Sequence, residues 1–381
     1  MPPDGALALL TAPRHLRLVA RPLRVVDVAL FYGERSGGIR TYLDAKARFA
    51  ATAATIEHHV IVPGTARATT ARAGATVHTI RSVTVNRANG YRLPLGGDAL
   101  AATLRGLHPD VVLLHDSFWR PRQVCRLVQQ GGGVAVMVHH GSAELDAHAW
   151  PGPAALYARG FRAWLQHAYV DADAVMSACD PWKDTHRTAT IPLRLGLHQA
   201  FVPQPAVHRG DHVLYVGRLA REKGILTLLE AAARSRDAWS LRLIGSGPAE
   251  GLVRARARRL GIEQRLQVRP FVADPEALAR EYAGARCVVM PGHLETFGLV
   301  ALEGAACGAP VVACETAPSV AALGARCRTF PAQDAARLLT AIECARTDLP
   351  DRGEALALAR NHSWNAAFAA ELADVRELAG C

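Results

Sequence analysis

The chain has 381 residues, 50% of them hydrophobic and 20% charged, with a formal net charge of +10. That length exceeds what one hydrophobic core serves, and the composition excludes wholesale disorder, so two globular domains are expected. No apolar run approaches the roughly 18–20 residues of a membrane span. The eight cysteines show no C-x-x-C spacing and read as reduced thiols of a cytoplasmic protein, without disulfides or a zinc site.

Residues 1–22 carry no periodicity and read as an irregular leader; the apolar run at 6–10 is short and follows Asp4, unlike a secretory signal. "LRVVDVALFY" (23–32) predicts a first buried strand. A glycine turn at Gly37–Gly38 follows, and Ile39, Leu43 and Lys46–Ala47 recur at helical spacing, giving strand, turn and helix. "EHHVIVPG" and "GATVHTI" are short strands between turn residues. "GDALAATLRGLHPDVVLLHD" is a helix ending near His108–Pro109, then a strand. "GGGVAVMVHHG" and "DADAVMSACD" are further strands. This alternation predicts a parallel sheet covered on both faces.

The alternation pauses at 191–211, where three prolines interrupt any pattern, and a linker is placed at 196–211. It restarts with "HVLYVGRLAREKGILTLLEAAARS", "WSLRLIGSGP", "RLQVRPFV", "ARCVVMPG" and "APVVAC", and closes in an Ala/Leu-rich helical pattern from Ser363 onward. The expected organisation is an N-terminal doubly wound domain at 23–195 and a second at 212–361. Residues 362–381 form a terminal segment.

Ligands of open parallel sheets bind beyond the C-terminal strand ends. Three glycine-bearing loops stand there: Gly37–Gly38, then "VGRLAREKG" with Arg218 and Lys223, then "PGHLETFGLVALEGAACGAPVVAC" (291–314). Glycine allows close backbone approach, helix N-termini attract phosphate, and Arg and Lys add full positive charge. Together they point to a nucleoside diphosphate. In the third loop Glu295 and Glu303 lie eight residues apart among apolar and small neighbours. With Thr296 as helix cap, the N–H groups of Phe297, Gly298 and Leu299 face phosphate. Glu303 then offers a two-oxygen acceptor to vicinal ribose hydroxyls, and Glu295 an acceptor to a sugar.

The third loop resembles, nearly end to end, the E-x7-E signature of the GT-B glycosyltransferases of family four. "VLYVGRLAREKG" is similar to that family's diphosphate loop, "SGGIRTYL" to its N-terminal glycine loop and "SWNAAFAAEL" to its final segment. The resemblance implies two Rossmann-like domains facing a cleft, with the terminal helix crossing back onto the N-terminal domain. It implies retaining, metal-free transfer of a hexose from a UDP- or GDP-sugar to a glycan, lipid or small-molecule acceptor, with no other cofactor. It implies Glu303 on ribose, Arg218 and Lys223 on the diphosphate, Phe271–Val272 near the base, Glu295 on the transferred sugar and Gly38 across the cleft. A histidine beside the reacting carbon is also implied. The strand register favours His139, and His140 is the alternative.

Departure of a nucleoside diphosphate builds charge on the β-phosphate, which fixed cations and helix N–H donors stabilise. Retention then proceeds by attack from the leaving-group face, or with Glu295 as covalent nucleophile. The linker keeps only Gly196 of the Asn–Gly pair common in the family, which loosens the hinge reading. A nucleotide-sugar epimerase of the same fold and a non-catalytic nucleotide-sugar-binding protein are the competing readings. Nucleic acid is not expected as a partner, since no recognised module or aromatic platform is present. Between Arg67 and Arg126 nine arginines face three acids, and "SFW" (117–119) adds two aromatic rings. This predicts peripheral contact with an anionic membrane surface.

Overall fold

The computed structural model describes residues 21–30, 32, 38–94 except 87–90, 96–115, 118–141, 154–178, 188–237, 239–348 and 350–380. The expected leader therefore lies almost wholly outside the described residues, as do Gly37, Asp116 and Ser117.

The first sheet has nine strands: β1 (Leu23–Val28), β2 (Ile56–Gly64), β3 (Ala68–Arg72), β4 (Ala75–Asn86), β5 (Tyr91–Pro94), β6 (Val111–Leu114), β7 (Val134–His139), β8 (Ala174–Ser177) and β9 (Ala189–Pro192). Their order is β3-β4-β2-β1-β6-β7-β8-β9, with β5 on β4. All pairings are parallel except those of β3 and β5 with β4. This antiparallel margin was not foreseen in the sequence. Strand β3 is exposed at all five positions, so it carries no apolar alternation to announce it.

Among the described residues the helices of the same half are α1 (Gly38–Thr52), α2 (Asp98–Leu107), α3 (Pro121–Gln130) and α4 (Ala154–Tyr169). Strand parity assigns the faces. Leu23, Val25 and Ala29 of the β1 segment, with Val111, Leu113, Val136 and Val138, pack against Tyr42, Leu43 and Ala47 of α1. Val26, Val28 and Leu30, with Val112, Leu114, Ala135 and Met137, pack against α2, α3 and α4.

The second sheet is wholly parallel, in the order β12-β11-β10-β13-β14-β15. Its strands are β10 (His212–Val216), β11 (Ser240–Ile244), β12 (Leu266–Arg269), β13 (Cys287–Met290), β14 (Val311–Cys314) and β15 (Cys327–Phe330). Helices α5 (Ile225–Arg234), α6 (Glu250–Arg259) and, later in the chain, α10 (Ala335–Ala345) cover one face. The other face holds α7 (Pro275–Gly284), α8 (Leu299–Ala306), α9 (Ser319–Leu323) and α11 (Arg352–Asn361). These are the two doubly wound domains the alternation predicts.

Helix α12 (Trp364–Leu378) leaves the second domain and lies on the first. Phe368, Leu372 and Val375 join the same apolar cluster as Tyr42 and Val25. The crossing is anchored at the linker: Leu197 N–H donates to the His362 carbonyl at 2.6 Å, and Leu197 bridges to Ser363. Gly196 is needed there, because a Cβ on it would stand 2.3 Å from the Trp364 Cα. Gly196 thus serves a close chain crossing.

Candidate active site

Each sheet reverses its strand order once near the centre, where a crevice opens beyond the strand ends. In the second sheet the reversal falls between β10 and β13. The loops leaving those two strands touch. Gly224 has φ +68°, and a Cβ on it would meet the Pro291 carbonyl oxygen at 2.2 Å. This contact brings Lys223 Nζ within 2.8 Å of Glu295 Oε2, with both side chains partly buried. Two positions 72 residues apart in sequence are therefore paired at the crevice.

Arg218 leaves the same β10 loop and forms an ion pair with Glu222, its side chain largely exposed. Tyr215 supports the loop, donating its hydroxyl to the Arg218 carbonyl at 2.8 Å. Glu303 lies inside α8, where its Oε2 accepts the Tyr282 hydroxyl at 2.6 Å. Burial pushes the Glu303 carboxyl up to about 6, against the opposing effect of the Tyr282 hydrogen bond. A carboxylate with one oxygen so occupied has its other oxygen and remaining lone pairs available as acceptors.

The cap differs from the expectation. Helix α8 starts at Leu299 with Gly298 as cap in the left-handed region (φ 74°), and no side chain caps it. Thr296 and Phe297 precede the helix, so its first-turn N–H donors begin at Leu299 and not at Phe297. Gly298 is required twice over, since a Cβ there would also stand 2.2 Å from Ser319 Oγ. Phe297 instead reaches the apolar cluster of the first domain that holds Tyr42 and Trp364. Phe271 is 70% exposed, while Val272 packs on the second domain's core. Gly38 is the exposed first residue of α1, with open space where a Cβ would be.

In the first sheet the reversal falls between β1 and β6. Parity separates the two histidines at the end of β7. His139 follows Ala135 and Met137 onto the α4 face, where it is buried and its Nδ1 lies 2.9 Å from the Tyr169 hydroxyl. His140 follows Val136 and Val138 onto the α1 face. It is partly exposed and stacks on His115 with ring centroids 5.0 Å apart, and its edge contacts Tyr42. Burial, then the neighbouring His115 and His139, hold its pKa well below the usual histidine range.

Beneath these rings is a buried polar cluster the sequence did not reveal. Asp27 of β1 is within hydrogen-bond or ion-pair reach of His115, His58 and Lys46, and Lys46 in turn of Glu371 on α12. Burial alone would raise the Asp27 carboxyl, but Lys46 and the two histidines hold it well below the usual carboxylate range.

Two Rossmann-like sheets, a charged pair at one switch point and a helix returning across the linker are the architecture of the GT-B fold. Solved structures agree on the fold. Sucrose-phosphate synthase from Thermosynechococcus elongatus superimposes with TM-score 0.71 at 21% identity, covering 93% of this chain and 99% of that one. Anabaena HepE in complex with UDP and glucose gives 0.66 at 16%, covering 92% and 99%. The model for glycosyl transferases group 1 matches residues 210–348, and that for glycosyltransferase family 4 matches residues 36–194. A GDP-mannose-dependent alpha-(1-6)-phosphatidylinositol dimannoside mannosyltransferase of Mycobacterium tuberculosis is 31% identical over 314 residues, covering 77% of this chain and 80% of the relative. A D-inositol 3-phosphate glycosyltransferase of Catenulispora acidiphila is 41% identical over 133 residues, covering 32% and 29%. The chain belongs to glycosyltransferase family four and is a glycosyltransferase.

Proposed function

We propose that this protein transfers a hexose from a nucleoside-diphosphate sugar with retention at the anomeric carbon and without a metal ion. The observation that carries this reading is the Lys223–Glu295 pair at 2.8 Å, formed where the β10 and β13 loops meet. Lys223 and Arg218 bind the diphosphate, joined by the N–H donors that open α8. Charge developing on the departing β-phosphate meets cations already in place, so the barrier falls without solvent reorganisation. Glu303 accepts the ribose hydroxyls. Glu295 orients Lys223 before the donor arrives and accepts hydroxyls of the transferred sugar afterwards.

Of the two histidines, His140 is the one assigned to the reacting centre. The β7 register turns His139 into the packing beneath Tyr169, whereas His140 stands at the strand end on the α1 side. The sequence favoured His139 from the strand register, with His140 as the alternative.

GDP-mannose is the first donor to test, because the Mycobacterium tuberculosis relative is named for it. That relative's name also supports a lipid-linked acceptor here. On the first domain Phe118 and Trp164 are 51% and 43% exposed and stack at 6.4 Å. Arg122 and Arg126, however, both pair with Asp171. The surface therefore offers an aromatic wedge with fewer free cations than the arginine count implied. None of the described helices is long and apolar enough to cross a membrane, so a lipid acceptor would be met at the surface. Incubation with a panel of sugar nucleotides, with and without EDTA, while following nucleotide release, tests the reading. Release from one donor that persists in EDTA is expected. Loss in EDTA restored by magnesium or manganese contradicts the metal-free site, and no release with any donor or acceptor contradicts transfer.

A further inference from the structure

The buried cluster under His140 has a definite proton pattern. Asp27 lies on β1 with no exposed surface. Its Oδ2 is 2.8 Å from His58 Nε2 and 3.0 Å from Lys46 Nζ, and its Oδ1 is 2.7 Å from His115 Nε2. Two imidazole contacts and an ammonium keep this carboxylate ionised, so it only accepts. His58 Nε2 and His115 Nε2 must therefore both carry protons. His58 supports this independently: its Nδ1 is buried without a hydrogen-bond partner among the described residues. A bare lone pair is the less costly occupant of such a position than an N–H with no acceptor.

A His115 ring that carries its proton on Nε2 alone presents Nδ1 as an acceptor. The His140 Nε2 lies 2.7 Å from that atom and in this arrangement donates to it. The remaining nitrogen of His140, Nδ1, is then a lone-pair acceptor. Lys46 completes the arrangement from α1, held between Asp27 and Glu371 Oε1, the latter at 2.8 Å. Glu371 Oε2 accepts the Tyr42 hydroxyl at 2.5 Å, and Tyr42 packs edge-on to both His115 and His140.

We propose that Asp27 and His115 are positioning residues that fix the tautomer and ring plane of His140, so that His140 Nδ1 accepts a hydrogen bond from a hydroxyl of the bound substrate. The relay spans the switch point of the first sheet: Asp27 comes from β1, His115 from the end of β6 and His140 from the end of β7. Its role in transfer rests on the placement of His140 at the reacting centre; its proton pattern does not.

The test is a long-range ¹H–¹⁵N correlation spectrum of the ¹⁵N-histidine-labelled full chain, with the His140 signals identified by their loss in His140→Gln. The expected result is a neutral His140 protonated at Nε2. A ring protonated at Nδ1, or at both nitrogens at neutral pH, overturns the proposal. His115→Phe keeps a ring in the stack but removes both polar atoms. It should lower kcat by about 10–100-fold, by analogy with metal-binding histidines that lose their hydrogen-bond partner, with KM for the donor little changed. His115→Gln can still donate to Asp27 and accept from His140, and should recover part of that loss. Equal kcat in wild type and a folded His115→Phe overturns the proposal. If no sugar nucleotide is turned over by any form, the transferase reading fails while the spectrum still decides the relay. The spectrum of the wild type also decides it if His115→Phe does not fold.

Discussion

Glu371 on the last helix and Lys46 on the first meet at 2.8 Å, each with a side chain only 3% exposed. The apolar contacts of Phe368 and Val375 hold α12 on the N-terminal domain without regard to register. A buried ion pair does fix register, because a slip would strand a charge.

Glu371→Gln should therefore lower stability by about 3–5 kcal/mol, the usual cost of removing one partner of a buried pair. Chemical denaturation followed by tryptophan fluorescence measures it, and the first domain's transition should move to lower denaturant. The same cluster makes the fold acid-sensitive. The Asp27 carboxyl is held well below its ordinary value, so its contribution is present above the unfolded pKa and lost as pH falls through the folded one.

Much of this architecture was legible in the chain because it depends on local pattern. Strand, glycine turn and helix recur at fixed spacing, and Glu295 and Glu303 stand out among small and apolar neighbours. What was not legible depends on distance. Tyr42 and Glu371 are 329 positions apart, and nothing near Lys46 announces a partner beyond the linker. The sequence favoured His139 over His140, and the face each takes became readable only once Val136 and Val138 were seen to pack on the α1 side. The helix cap was misplaced because Thr296 is a good capping residue, whereas the chain turns through Gly298 two residues later.

Glu303 gives a pH signature. If Glu303 holds the ribose as proposed, its carboxyl, raised by burial to about 6, accepts two hydroxyls best when ionised. Nucleotide affinity should fall as pH drops below about 6. For stability the sign is opposite: the folded state holds this proton more tightly than the unfolded chain, so ionising Glu303 costs stability as pH rises through the window from the ordinary value to the raised one. Tyr282→Phe removes the hydrogen bond that favours the ionised form, so the affinity loss should begin at higher pH. Fluorescence titration of nucleotide from pH 5 to 8 checks both, and a flat profile in wild type contradicts the assignment.

Gly196→Val should disturb the domain crossing without touching either crevice. The new side chain has no room beside the Trp364 backbone, so α12 must shift. Faster proteolysis near residue 362 in limited digestion is expected, and an unchanged digestion pattern argues against it.

Co-sedimentation with vesicles addresses the acceptor. Anionic vesicles should recruit more protein than neutral ones at low salt, since each basic side chain near such a surface contributes about 1 kcal/mol. Phe118→Ser should reduce binding at moderate salt as well, where the aromatic pair carries more of it. Equal recruitment by neutral and anionic vesicles means that soluble acceptors should be screened first.

The most direct measurement is the affinity of wild type and Lys223→Ala for GDP and UDP by titration calorimetry. A charge-assisted contact is worth about 1.5–3 kcal/mol, so the variant should bind the preferred nucleotide at least about tenfold more weakly. Unchanged affinity for both nucleotides would mean that the diphosphate does not lie against the β10 loop, and the donor site proposed here would be wrong.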